Sequence, residues 1–248
     1  MKGVNTDVAY DFIRKKILGG EFPPGFALLT ESLAAEIDVS RTPVRDALRK
    51  LETDGLVTIR AHRGASVKKL ELKEFREMCE LRLALETHAA GLAALNHADT
   101  ELREIQFALE AMRRLTEQIA AATREQPLLG ELVREDVRFH VAIMRAARNE
   151  LMKKEILRLH LINRVLGVPP ILTQPVGTKS EADVRRRAVL AMHENIYAAI
   201  ARSDALAAKR EMEFHLQELI DHNLEVMTRA QRGVALRELT LEELAYSA

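Results

Sequence analysis

The chain has 248 residues, 47% of them apolar, which is long for one domain, comfortable for two and enough for a substantial core. Its apolar runs fall far short of the ~18 residues of a membrane span, and "MKGVNTDVAYDFIRKK" has no apolar signal core with a small-residue cleavage site. The formal net charge of zero hides a mild asymmetry: residues 1–70 carry twelve Lys/Arg against nine Asp/Glu, or +3, and residues 71–248 carry 25 against 28, or −3. That bias permits a polyanion partner for the first segment without demanding one.

Aromatic residues reach only 4%, while Ala, Leu, Glu and Arg dominate, so a mainly α chain is expected. A single cysteine, Cys79, rules out an internal disulfide and fits a reducing cytoplasm. It sits on a helical apolar stripe and reads as a core residue.

In chain order, Asn5 or Thr6 is expected to cap a first helix with Val8, Phe12, Ile13 and Ile17 on one face, stopped by Gly19-Gly20. Pro23-Pro24-Gly25 forces a turn into a short extended piece. Thr30 is expected to cap "ESLAAEI", with Leu33, Ala34 and Ile37 inward. "DVS" then leads to a second helix at roughly 41–54, closed by Gly55, with Ser40 or Thr42 as its N-cap and Pro43 in its first turn. Beyond it, "LVTIR" and "ASVKKL" alternate around "AHRG" as a small hairpin.

Helix, short turn, helix and hairpin within seventy residues is the plan of a winged helix-turn-helix. At ~100° per residue, Val44, Ala47, Leu48 and Leu51 cluster on one face of the second helix, while Arg41, Thr42, Arg45 and Arg49 fall on the adjoining one. An arginine can donate two hydrogen bonds to a guanine edge, and Ser40 and Thr42 hydroxyls suit phosphates. His62, Arg63 and Gly64 would form the wing tip, where glycine allows close approach to the sugar-phosphate wall.

Near residue 70 the texture becomes helical, with helices expected near 71–96, 99–123, 128–147, 149–166, 181–202 and 204–229 and a short tail helix near 236–246. The Pro-rich stretch 168–180 interrupts them. Six or seven antiparallel helices make a bundle. The expected boundaries are residues 1–70 for the winged domain, 71–230 for the bundle and 231–248 for the tail.

The bundle carries one notable constellation. Asp136 and His140 stand four apart on one expected helix and point the same way. His193 and His215 are equidistant from Asp204, where a hairpin corner is expected, so an antiparallel pairing sets them side by side. One carboxylate and three imidazoles suit a divalent transition metal such as Zn, Ni, Mn or Fe. His88, His97, His160 and His222 lack such partners and read as structural.

The stretch "SRTPVRDALRKLETDGLVTIRAHRGASV" closely resembles the DNA-binding domain of GntR-family bacterial transcription regulators. "LRLALE", "DVRFH", "ARNELM" and "HENIYAAIARSDALAAKREMEFHL" resemble the FCD effector domain of their FadR branch. The resemblance implies a homodimeric repressor on a short palindromic operator, controlled by a small organic acid held in the bundle. It also implies a metal held by Asp136, His140, His193 and His215, with Arg82 helping to neutralise the acid. Glu31 departs from the pattern, since the founding, fatty-acid-responsive member has an operator-contacting arginine there. That member also lacks the metal set, so an acyl-CoA effector is not implied. The alternatives are a metal-dependent enzyme fused to a DNA-binding module and a bundle serving only as a scaffold.

Overall fold

The computed structural model describes residues 2–166 and 178–235. It is mainly α, with the order α1(Lys2–Leu18), β1(Ala27–Leu28), α2(Thr30–Ile37), α3(Arg41–Thr53), β2(Val57–Arg60), β3(Gly64–Val67), followed by α4(Leu72–Asn96), α5(Asp99–Ala121), α6(Leu128–Ala146), α7(Glu150–Leu166), α8(Lys179–Ala201) and α9(Ala205–Ala235). Six helices therefore follow the sheet among the described residues. The expected tail helix at 236–246, and most of the Pro-rich interruption, lie outside them.

By contact the chain divides into two compact units: Met1–Met78 with Asn149–Pro169, and Cys79–Arg148 with Pro170–Ala248. Helix α7 thus groups with the first unit.

In the first unit α3 buries Val44, Ala47, Leu48 and Leu51, the face its apolar spacing predicts. Helix α1 covers that face, but not as expected. It begins at Lys2, earlier than a cap at Asn5 or Thr6, and buries Thr6, Ala9, Ile13 and Ile17, leaving Val8 48% exposed. The buried stripe therefore includes Thr6 and Ala9 in place of Val8.

Tyr10 Oη donates to Asp54 Oδ2 at 2.6 Å, and Lys50 Nζ meets Asp7 Oδ1 at 2.8 Å, tying α1 to the end of α3. Partial burial, then the bond to Asp54, pushes the Tyr10 phenol up to about 12. Thr30 does not cap α2. Leu29 holds the N-cap position with no side-chain bond, and Thr30 is the first helical residue. At α3 the N-cap position falls to Ser40, also without a side-chain bond.

Gly55 ends α3 at φ +82°. A Cβ there would also stand 3.0 Å from Ile162 Cδ1 of α7. The expected hairpin supplies two strands of a three-stranded antiparallel sheet ordered β1-β3-β2, with Leu28 opposite Ala65 and Arg60 opposite Gly64.

The second unit packs α4, α5, α6, α8 and α9 around one apolar core that includes Ala90, Ile105, Met112, Phe139, Ile143, Ile196 and Met212. Runs of alanine on α4 and α8 permit close helix approach. Asp204 accepts from the Ala207 backbone N–H at 2.9 Å, capping α9 at the corner where the histidine spacing places it. At the start of α8, Lys179 Nζ donates to the Ile119 and Ala120 carbonyls at 2.9 and 3.0 Å, meeting the negative end of α5. The buried Arg186 guanidinium joins Glu125 to Asp183 beside it.

Candidate functional site

The first unit presents a basic surface. Ser40, Arg41, Thr42, Arg45 and Arg49 are all exposed, because the core takes the opposite side of α3. Arg41 Nη1 is 3.2 Å from Glu31 Oε1, and Arg49 Nη1 is 3.7 Å from Asp46 Oδ1. These are exposed pairs of little energetic weight. At the hairpin tip His62, Arg63 and Gly64 are exposed, with His62 at φ +60° and Gly64 at φ +80°. The left-handed turn and the Arg63 N–H to Arg60 carbonyl bond at 3.0 Å hold the tip out from the sheet. Exposed guanidiniums on a helix that starts after a short turn, with a basic wing on the same unit, suit a groove edge and phosphates.

The second unit gathers three histidines in its core, with Asp136 part-buried at their edge. Asp136 and His140 come from α6, His193 from α8 and His215 from α9. The three histidines are buried, and one nitrogen of each lies within 4.8 Å of the other two. Ring centroids are 4.4 Å apart for His193–His215, 5.2 Å for His140–His215 and 5.5 Å for His140–His193. Phe139 packs edge-on to His193 at 4.8 Å and closes the apolar side.

The hydrogen bonds decide what these rings can do. His193 Nδ1 is 2.7 Å from the Val189 carbonyl, which only accepts, so that nitrogen carries the proton. In the neutral ring Nε2 is then a bare lone pair. It lies 3.2 Å from Asp136 Oδ1 without hydrogen-bond geometry, two acceptors set against each other. His215 Nε2 and His140 Nε2 face each other at 3.3 Å, and His215 Nδ1 is buried without a hydrogen-bond partner. A cation among these atoms resolves the opposition, and imidazole with carboxylate is the donor set of Zn, Ni, Mn or Fe. The residues therefore fit a divalent transition metal.

Burial, reinforced by His193 and His140, holds the His215 pKa well below that of a free imidazole and keeps the ring neutral.

Arg82, on α4, is buried, and its Nε donates to Glu86 Oε1 at 2.8 Å. Sequence reasoning singled out Arg82 and passed over Glu86, which is 1% exposed and whose Oε2 is 3.1 Å from His140 Nδ1. The available signal was an acid four residues from an arginine inside an alanine-rich stripe, a spacing more common on solvated faces.

The chain matches the family model described as bacterial regulatory proteins, gntR family, over residues 5–67, and the FCD domain model over residues 77–218. It is similar to the HTH-type transcriptional regulator LutR of Bacillus subtilis, 30% identical over 227 residues that cover 83% of this chain and 94% of that one. It is also similar to the HTH-type transcriptional repressor RspR of Escherichia coli, 28% identical over 217 residues, 87% of each chain. The solved structure of E. coli McbR/YncC shares the fold, with a TM-score of 0.65 at 20% identity over 92% of this chain and 98% of that chain. The chain belongs to the gntR family of bacterial regulatory proteins and carries an FCD domain; it is a DNA-binding transcription regulator. No helix among the described residues is long and apolar enough to cross a membrane.

Proposed function

We propose that this gntR-family regulator is a homodimeric repressor whose grip on a short palindromic operator is set by a small carboxylate bound beside a metal ion in its helical domain. Residues 1–70 read DNA. Arg41, Arg45 and Arg49 face base edges, Ser40 and Thr42 meet phosphates, and His62, Arg63 and Gly64 touch the backbone from the wing. Residues 71–230 bind the effector and pair two chains, so that two reading helices meet two half-sites.

Asp136, His140, His193 and His215 hold the ion, of the Zn, Ni, Mn or Fe class. When bound, it supplies a Lewis-acid centre that attracts a carboxylate. Arg82 adds positive charge from α4. The observation that carries this reading is the opposed pair His193 Nε2 and Asp136 Oδ1 beside two further buried imidazoles, an arrangement that a cation relieves. Control of DNA requires the effector to bind the DNA-competent and DNA-incompetent states with different affinity.

Binding of the full-length protein to palindromic DNA from its own upstream region, read by fluorescence anisotropy, tests the regulatory half. Wild-type protein binds with sequence preference and Arg41→Ala and Arg45→Ala lose that preference. If preference survives in both variants, α3 is not the reading helix.

A further inference from the structure

Glu86 has no part in the reading above, yet it is among the most buried charged residues described, at 1% exposure. A carboxylate is costly to bury unless its charge is used. Its two oxygens face two different groups. Oε1 takes the Arg82 Nε hydrogen at 2.8 Å, and Oε2 stands 3.1 Å from His140 Nδ1, within reach of a hydrogen on that nitrogen but not aligned as a hydrogen bond. The other nitrogen of that ring, Nε2, is the one facing His215 at 3.3 Å. The two nitrogens of an imidazole point away from each other, so Glu86 lies behind His140, outside the ring of groups that converge on the candidate ion.

We propose that Glu86 is the positioning carboxylate of the metal centre: it holds the proton of His140 on Nδ1 and leaves the Nε2 lone pair directed at the ion, while Arg82 fixes its other oxygen. This rests on the metal reading of Asp136, His140, His193 and His215. His193 obtains the same outcome from a backbone carbonyl, since Val189 fixes its Nδ1 proton at 2.7 Å. Two of the three imidazoles are thus turned to present Nε2, one by a neutral acceptor and one by a charged acceptor. A charged acceptor raises the basicity of the ring it touches and strengthens it as a ligand. Arg82 acts on the ion through this relay as well as by its own charge, so the chain of influence runs from α4 through Glu86 and His140 to the ligand atoms.

Two measurements on full-length protein stripped of metal test this. The first is the tautomer of His140 in 15N-histidine spectra of the metal-free protein, with the resonance assigned by His140→Gln. Wild type shows the Nδ1–H form, Glu86→Gln keeps it through its amide oxygen, and Glu86→Ala moves to a mixture. The second is Zn(II) affinity by competition with a chromophoric chelator. Glu86→Ala weakens Zn(II) by roughly 10–100-fold, and Glu86→Gln falls between it and wild type.

A wild-type His140 carrying its proton on Nε2 overturns the proposal, and it does so even if Glu86→Ala does not fold. Wild-type Zn(II) affinity in both Glu86 variants overturns it too. Asp136→Ala and His193→Ala separate the two levels. If they lose Zn(II) while the Glu86 variants keep it, only the role of Glu86 falls. If they also bind Zn(II) like wild type, the metal centre itself is wrong and the role of Glu86 goes with it.

Discussion

Asp136 Oδ1 lies 3.2 Å from His193 Nε2, while the opposite nitrogen of the same ring is 2.7 Å from the Val189 carbonyl. The ring's one proton in its neutral form is committed to the backbone, so the carboxylate faces a lone pair. His215, edge-on to His193, is held neutral by burial. A cation among these atoms would relieve that opposition.

Acidification of the metal-free protein follows from His215. Its folded pKa lies well below the unfolded value of about 6.5, so on acidification the unfolded chain takes up a proton that the folded chain refuses. The contribution to stability is complete above about pH 6.5 and is lost as pH falls below it. Thermal melts in chelator between pH 8 and pH 5 are expected to show a falling Tm, with a flatter profile in His215→Gln. A His215→Gln profile as steep as wild type would contradict this.

Glu31 restrains the reading surface. Its Oε1 lies 3.2 Å from Arg41 Nη1 and adds a negative charge beside the surface proposed to read DNA. Glu31→Gln is expected to tighten DNA binding severalfold, on the order of 0.5–1 kcal/mol, with the gain shrinking as salt rises. Anisotropy titrations at two salt concentrations check it; weaker binding by Glu31→Gln would contradict it.

Gly55 meets two constraints at once. Its φ of +82° disfavours any side chain, and a Cβ would stand 3.0 Å from Ile162 Cδ1. Gly55→Ala is expected to cost about 1–3 kcal/mol, chiefly from the backbone, because the Ile162 terminus can move. Urea unfolding measures it. Gly55→Asn should lose less, since asparagine tolerates the left-handed region better.

Cys79 is 3% exposed, and burial pushes its thiol up to about 11. At pH 8 roughly one thiol in a thousand is then ionised, against about a quarter for a free cysteine. A disulfide reagent should label native protein slowly and denatured protein fast. As Cys79 is the chain's single cysteine, the trace needs no assignment. Labelling of native protein at the free-cysteine rate would show that the thiol is not buried.

Legibility followed how local the physics is. The α3 face could be read because Val44, Ala47, Leu48 and Leu51 repeat at helical spacing and all are bulky or tightly placed. The meeting of His193 and His215 could be read because a short turn at Asp204 fixes the register of two long helices. What failed depends on partners distant in sequence. Helix α1 turns Thr6 and Ala9 inward and leaves Val8 exposed, a choice its apolar spacing does not announce. Strand β1 is two residues long and exists through β3, some forty residues on. Thr30 looks like a cap, yet the helix starts at it. Glu86 gains its meaning only when α6 brings His140 alongside α4.

The proposed function depends on the buried histidines holding a metal. Metal analysis by mass spectrometry of full-length protein purified without a histidine tag tests it most directly, with His193→Ala and His215→Ala prepared in parallel. Wild type is expected to carry about one divalent transition-metal ion per chain, at the cluster of His140, His193, His215 and Asp136, and both variants only background levels. Equal metal content in all three proteins would contradict it.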